Sequence, residues 1–120
     1  MLRRLAFLVA LASTPALAAV DVSTSLNLGG NAQIQHVTYG CGAETTLEVT
    51  YINAEPNFIA IVPIDGVKQI FVNVISASGA KYVSAEYEWW SKGTDATLHN
   101  VTEGLDAAPV LTCSENIETP

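Results

Sequence analysis

The chain has 120 residues, of which 49% are hydrophobic and 14% charged, and its formal net charge is −7. This length gives one domain with one hydrophobic core. The acidic balance argues against nucleic acid and anionic lipid as partners, because neither would meet a cationic surface, and it favours a basic partner.

The first eighteen residues have the pattern of a secretory signal. Arg3 and Arg4 form a basic start, residues 5–11 are apolar, and residues 16–18 read Ala-Leu-Ala, a typical cleavage site. The apolar run is shorter than the roughly 20 residues that a bilayer span requires. We therefore expect export to the periplasm without a membrane anchor. Cleavage would leave 102 residues with three lysines and twelve carboxylates, a net charge of −9.

The remainder divides into a weakly patterned segment, residues 19–31, and a folded domain, residues 32–120. We expect the first to be a loose N-terminal arm. In the domain, short stretches with alternating or β-branched side chains are separated by Gly, Asn, Asp and Pro, which is typical of a small antiparallel barrel or sandwich. The predicted strands cover residues 33–39, 45–52, 57–64, 67–75, 83–90, 96–101 and 110–113.

Two of these strands have further consequences. Asp65-Gly66 is a tight-hairpin signal, so the strands on either side of it should pair antiparallel. Residues 83–90 alternate without a break, and on a single straight strand Glu86 and Glu88 would share one face. A straight strand from 82 to 90 would span roughly 30 Å and place its two flanking turns at opposite ends of the domain. For both turns to reach one partner, the first loop must curl back, the strand must be short or bulged, or a long lysine must reach from the side.

The two cysteines, Cys41 and Cys113, should form a disulfide, because an even number of cysteines in an exported chain indicates pairing. A loop of that length adds roughly 4 kcal/mol of stability in the chain-entropy model. The alternative is a lipid-modified cysteine. It is disfavoured because Thr38-Tyr39-Gly40 before Cys41 lacks the character of a lipobox.

Enzyme chemistry is hard to assemble from this sequence. His36 and His99 lie on predicted strands without the spacing of a metal site, and no nucleophile-elbow or phosphate-binding motif is present. We expect no cofactor and no metal. Glu86 and Glu88, some 6 to 7 Å apart on one strand face, would suit glycoside hydrolysis, but paired glutamates on an outward face are ordinarily solubilising residues.

Rare residue types are concentrated between residues 76 and 98, which indicates a recognition surface. The segment holds two glycine-containing turns, the adjacent Trp89 and Trp90, and two of the three lysines outside the signal, Lys81 and Lys92. Because neighbouring residues on a strand face opposite ways, we expect Trp89 in the core and Trp90 half-exposed.

This segment resembles the inhibitors of c-type lysozyme found in bacterial envelopes, in membrane-bound and periplasmic forms (MliC/PliC). Two motifs carry the resemblance, and Tyr39-Gly-Cys41 and Cys113 fit the family's half-cystine positions. The membrane-bound branch has a lipobox cysteine after its signal, whereas this chain has Ala19 and is similar to the soluble periplasmic branch. The motifs are Ser76-Ala-Ser-Gly-Ala-Lys-Tyr82 and Tyr87-Glu-Trp-Trp-Ser-Lys-Gly-Thr-Asp-Ala-Thr-Leu98.

The resemblance implies an all-β fold, a small antiparallel β-barrel of about eight strands with one disulfide, often dimeric. It further implies a protein that is not an enzyme and that blocks host lysozyme from cutting peptidoglycan, which evades host defence. In the family, a serine of the first motif and the lysine of the second enter the lysozyme cleft. These correspond to Ser78 and Lys92. The other residues expected at the contact are Gly79, Ala80, Lys81, Tyr82 and Trp90.

Two other functions fit the residues less completely. One is a periplasmic or surface binding module, built on the same barrel, that uses Trp90 and the acidic surface to bind a different host protein. The other is a small glycan-active enzyme that uses Glu86 and Glu88. Neither explains why the two motifs occur together.

Overall fold

The strands close into a barrel in which each strand pairs antiparallel with the next in the chain. The computed structural model describes residues 6–17, 19–104 and 106–116. The last strand returns to the first, pairing Glu115 with Tyr39 and Ser114 with Gly40. The strands of the described residues are β1 (Gln33–Gly40), β2 (Thr46–Ala54), β3 (Asn57–Ile64), β4 (Val67–Val74), β5 (Ala80–Ser84), β6 (Tyr87–Lys92), β7 (Asp95–Asn100) and β8 (Leu111–Glu115).

The hairpin predicted at Asp65-Gly66 is confirmed. Ile64 pairs with Val67 across it, and Asp65 and Gly66 have φ angles of 48° and 78°. Both values lie in the left-handed region that tight hairpin turns require. The choice between barrel and sandwich is settled in favour of the barrel, because β1 and β8 join the two edges of the sheet.

The single strand predicted over residues 83–90 is wrong. β5 ends at Ser84, β6 begins at Tyr87, and the chain reverses at Ala85 and Glu86 so that Ser84 pairs with Tyr87. Ala85 has a φ of 48°, a conformation that non-glycine residues seldom adopt. The turn therefore brings the two ends of the motif segment to the same end of the barrel.

The barrel interior is filled by aromatic side chains that share hydrogen bonds. Trp89 is fully buried and Tyr39 and Tyr51 are nearly so. The Trp89 indole donates to the Tyr51 hydroxyl at 2.8 Å, and the Tyr51 and Tyr39 hydroxyls are 2.8 Å apart. Tyr39 also meets the Trp89 ring edge-on, with 5.3 Å between centroids. Burial, assisted by the hydrogen bond to Tyr51, raises the pKa of Tyr39 far above its ordinary value.

The predicted disulfide is confirmed. Cys41 and Cys113 are bonded across a sequence separation of 72, and both are buried. The bond ties the loop before β2 to β8.

The residues outside the barrel are exposed. Residues 19–31 contain no strand and are largely exposed. Of the predicted signal, residues 1–5 and Ala18 lie outside the described residues, as do the last four residues of the predicted domain, 117–120. None of the helices within the described part of the chain is long and apolar enough to cross a membrane.

Candidate binding site at one end of the barrel

The hairpin of β5 and β6 brings the two sequence motifs together. Ala80 pairs with Ser91 and Lys81 with Trp90, so the loop that precedes β5 lies beside the turn that follows β6. Ser78 belongs to that loop, and Lys92 is the last residue of β6. The two residues therefore lie at the same end of the barrel, and the straight-strand alternative that would have separated them is wrong.

Trp90 connects this loop to the lysines. Its indole nitrogen donates a hydrogen bond to the Ser78 carbonyl oxygen at 2.9 Å. The Lys92 ammonium lies 3.6 Å from the centroid of the Trp90 ring, and the Lys81 ammonium lies 4.2 Å from it. Each such cation–π contact adds about 0.5–1 kcal/mol at exposed sites. One half-buried side chain thus fixes the position of the loop relative to both cations. The predicted division between Trp89 inside and Trp90 half-exposed is confirmed.

Gly79 allows the loop to lie this close to β6. It has a φ of 64°, and a Cβ at this position would meet the Ser91 carbonyl oxygen, with Lys92 Cγ at 2.7 Å and Trp90 Nε1 at 3.0 Å. A side chain there would require both a strained backbone and a displaced neighbour. Glycine is therefore required both by the conformation and by the contact.

The serines of the loop have different roles. The Ser76 hydroxyl donates to the Gly79 carbonyl oxygen at 3.0 Å and so supports the loop from within. The Ser78 side chain is exposed, and its hydroxyl makes no hydrogen bond to any other described residue. Ser78 contributes to the position of the loop through its backbone carbonyl and not through its side chain, which leaves the hydroxyl available to a partner.

The two lysines also differ. Lys81 pairs with Glu88 at 3.7 Å, and these side chains are only 27% and 22% exposed. Lys92 is exposed, and no carboxylate of the described residues lies within salt-bridge distance of it. Asp95, which pairs with Lys92 in the register, instead accepts a hydrogen bond from the Ser114 hydroxyl at 2.9 Å. Lys92 therefore offers a positive charge that no neighbouring carboxylate neutralises.

Tyr82 and Ala80 support the site from beneath. Tyr82 is 5% exposed and packs its ring 5.7 Å from that of Tyr51. Burial raises the pKa of Tyr82 above its ordinary value, so this phenol is neutral at physiological pH. Ala80 is half-buried at the start of β5. The position of Tyr82 suits a residue that holds the loop better than one that touches a partner.

A small polar cavity opens at the mouth of the barrel beside this site, and the sequence analysis did not anticipate it. Its volume is about 210 Å³. Closure of the barrel brings polar Gln35 and Asn53, on β1 and β2, together with Glu115 on β8. The cavity is lined by Gln35, Val37, Tyr39, Tyr51, Asn53, Tyr82, Ser91, Gly93 and Glu115.

The carboxylates considered for catalysis do not form a pair on one strand face. Glu86 lies in the turn between β5 and β6, whereas Glu88 lies on β6 and pairs with Lys81. The expectation that they share a face is therefore wrong.

Each histidine contacts a threonine hydroxyl rather than another potential metal ligand. His36 Nδ1 lies 3.0 Å from the hydroxyl of Thr50, and His99 Nε2 lies 3.1 Å from that of Thr97. Nowhere in residues 6–17, 19–104 and 106–116 do three potential metal ligands come together.

These features define a class of protein, a small disulfide-bonded β-barrel with a preformed loop and an exposed lysine at one end. Within that class, residues 39–106 match the family described as membrane-bound lysozyme-inhibitor of c-type lysozyme (MliC). The chain belongs to this family, which consists of enzyme inhibitors rather than enzymes.

Two relatives in the family carry the name membrane-bound lysozyme inhibitor of C-type lysozyme. The chain is 41% identical to the protein of Cupriavidus necator over 78 residues, which is 65% of this chain and 62% of the relative. It thus spans less than two thirds of that relative. It is 40% identical to the protein of Pseudomonas aeruginosa over 93 residues, 75% of this chain and 73% of the relative. Both relatives are named as membrane-bound proteins.

The fold also matches a solved complex. The crystal structure of Pseudomonas aeruginosa MliC in complex with hen egg white lysozyme superposes on the chain with a TM-score of 0.65 at 37% identity. The match covers 83% of this chain and 99% of that chain. The barrel is therefore the fold of an inhibitor that forms a complex with a c-type lysozyme.

Proposed function

We propose that this protein inhibits c-type lysozyme by inserting the Ser78 loop into the active-site cleft and placing Lys92 beside the cleft's carboxylates. The observation that carries the proposal is the arrangement around Trp90, which binds the Ser78 carbonyl and lies under the Lys92 ammonium. The loop and the cation thus form one preformed unit. A preformed unit loses less conformational entropy when it binds.

The chemistry of a lysozyme cleft fits this unit. Such a cleft presents a glutamic acid and an aspartate, which bind and cleave the sugar chain. The exposed Ser78 hydroxyl supplies a compact hydrogen-bond donor, and Lys92 supplies a positive charge without a carboxylate partner among the described residues. Occupation of both carboxylates excludes the substrate, and no covalent step is needed.

Electrostatics support the same partner. Beyond the predicted signal, the chain carries three lysines and twelve carboxylates, so its long-range field attracts a basic enzyme. At short range, Lys92 is an exposed cation on a chain that has an excess of carboxylates. This contrast favours one orientation, in which Lys92 meets the acidic centre of the basic partner.

We place this activity in the periplasm, where an inhibitor protects peptidoglycan and where a disulfide forms readily. The signal pattern over residues 1–18 and the Cys41–Cys113 bond support that location. The relatives are named as membrane-bound, so fractionation of cells that express the whole chain would distinguish a periplasmic from a membrane-associated form.

The direct experiment is a titration of the purified protein into activity assays of c-type, g-type and i-type lysozymes. We expect inhibition of the c-type enzyme. Lys92→Ala should weaken binding by about 2–5 kcal/mol, as expected when one member of a desolvated charge pair is lost, and Ser78→Ala by about 1.5–3 kcal/mol. Lys68→Ala is the matched control, because Lys68 is an exposed lysine near the start of β4, at the other end of the barrel. Full inhibition by the Ser78→Ala, Lys92→Ala double variant would contradict the site.

A further inference from the structure

The cavity at the mouth of the barrel has the chemistry of a binding site. Among its lining residues, Glu115 is the one carboxylate, and the others are amides, a serine, tyrosines and small or apolar residues. Burial raises the pKa of both Tyr39 and Tyr82, so these phenols stay neutral. The cavity therefore carries one negative charge.

Its acceptors are also available. Within the described part of the chain, no side chain forms a hydrogen bond or ion pair with the Glu115 carboxylate, and none donates to the amide oxygens of Gln35 and Asn53. Glu115 is held in place by its backbone, because its N–H donates to the Thr94 carbonyl at 2.8 Å and its Cα pairs with Tyr39. One carboxylate and two side-chain amides thus line one space, and the carboxylate favours a cationic ligand that donates hydrogen bonds.

The size of the cavity limits what can enter. About 210 Å³ is below the roughly 300–1,000 Å³ typical of small-molecule pockets. At about 30 Å³ per water it holds about seven waters. This volume suits one long side chain rather than a sugar ring system or a cofactor.

The location connects the cavity to the proposed contact. Ser91 and Gly93, which line it, are the residues on either side of Lys92. Any macromolecule that covers Lys92 therefore also lies next to the mouth of the barrel. An acidic inhibitor favours a basic partner, whose surface is rich in lysine and arginine.

We propose that this cavity receives one lysine or arginine side chain of the bound lysozyme, with Glu115 as the acceptor of its charge and the amide oxygens of Gln35 and Asn53 as further acceptors. This inference rests on the proposed function. It adds a second charge pair to the Ser78 and Lys92 contacts. In the Lys92 pair the inhibitor supplies the positive group, whereas in the Glu115 pair it supplies the negative group. Two adjacent pairs of opposite sign fix the rotational register of the complex.

The test compares two variants that change the net charge equally. Glu115→Gln removes the charge in the cavity, while Glu103→Gln removes an exposed charge from the 3-10 turn after β7, at the other end of the barrel. We expect Glu115→Gln to raise the dissociation rate from c-type lysozyme by about tenfold or more, since buried charge pairs act on dissociation. Glu103→Gln should alter only the association rate, and only slightly. Equal dissociation rates for the two variants would overturn the proposal.

A second measurement does not depend on lysozyme. N-acetyl-arginine amide and N-acetyl-lysine amide are titrated into the isotope-labelled protein, with N-acetyl-glutamine amide as the neutral control, and the side-chain amide resonances of Gln35 and Asn53 are followed by NMR. We expect a cationic probe to shift these amide resonances in the unmodified protein. The Glu115→Gln substitution should abolish the shifts. Absence of shifts with both cationic probes overturns the proposal. If the shifts occur but the protein does not inhibit lysozyme, the proposed function is wrong and the cavity still binds a cationic side chain.

Discussion

Replacement of Gly79 by alanine tests whether the geometry of the loop determines inhibition. The new Cβ would meet the Ser91 carbonyl oxygen and would lie 2.7 Å from Lys92 Cγ, so the loop must move away from β6. The left-handed backbone costs an alanine about 1–2 kcal/mol, and displacement of the loop removes the Trp90–Ser78 hydrogen bond, a further 0.5–1.5 kcal/mol or so. A smaller gain of about 0.4–1 kcal/mol comes from the less flexible unfolded chain. We expect a net loss of roughly 2 kcal/mol.

Gly66→Ala is the matched control. Gly66 also has a positive φ, 78°, but a Cβ there has no atom within 4 Å, and the residue lies in the hairpin between β3 and β4 at the other end of the barrel. It should lose only about 1 kcal/mol of stability and inhibit lysozyme fully. Gly79→Ala should inhibit at least about tenfold less strongly, or about 1.4 kcal/mol in affinity. Chemical denaturation and inhibition titrations measure both effects. Equal inhibition by the two variants would refute the reasoning.

Four further outcomes are expected. Reduction of the Cys41–Cys113 bond should lower the melting temperature by at least about 10 °C, since roughly 4 kcal/mol is involved; an unchanged melting curve after complete reduction would contradict this. Trp90→Phe keeps an aromatic ring under the lysines but removes the donor to the Ser78 carbonyl, so inhibition should fall several-fold and the free energy of unfolding should fall by about 0.5–1.5 kcal/mol; hydrogen exchange of the loop amides should rise in the free protein. Raising the ionic strength from 0.01 to 0.15 M shortens the Debye length from about 30 to about 8 Å and should slow association with lysozyme. An association rate that does not change with salt would exclude electrostatic steering. Because the folded-state pKa of Tyr82 is raised by burial, its stabilising effect is present below the unfolded pKa of about 10 and declines as pH rises above it; denaturation series at pH 8 to 11, followed by tyrosinate absorbance, should show that decline.

Much of the fold follows from local patterns in the sequence. The Asp65-Gly66 hairpin has a strong turn signal, the adjacent tryptophans must face opposite ways on a strand, and two cysteines in an exported chain pair. The turn at Ala85 and Glu86 has no such signal, because neither residue favours a left-handed backbone and the side chains around it keep alternating. Tertiary packing of Tyr82 and Trp89 in the same core imposes that turn.

The site, like the fold, could be predicted from the sequence only in part. The types of residue at the contact, Ser78 and Lys92, follow from the motifs, but their meeting at one end depends on the unmarked turn between β5 and β6. The mouth cavity was beyond sequence analysis for a similar reason. Gln35, Asn53 and Glu115 lie on β1, β2 and β8, and β8 becomes a neighbour of β1 only when the barrel closes. Non-local pairing of this kind leaves no local pattern.

Hydrogen exchange of the protein, free and bound to a c-type lysozyme, tests most directly whether the end of the barrel that carries Ser78 and Lys92 is the contact surface. Amide exchange in the loop before β5, residues 75–79, and in the turn after β6, residues 93–94, should slow strongly in the complex. Exchange in residues 42–45 and 101–104, at the opposite end, should stay unchanged. Protection at that opposite end, with none in the Ser78 loop, would contradict the account.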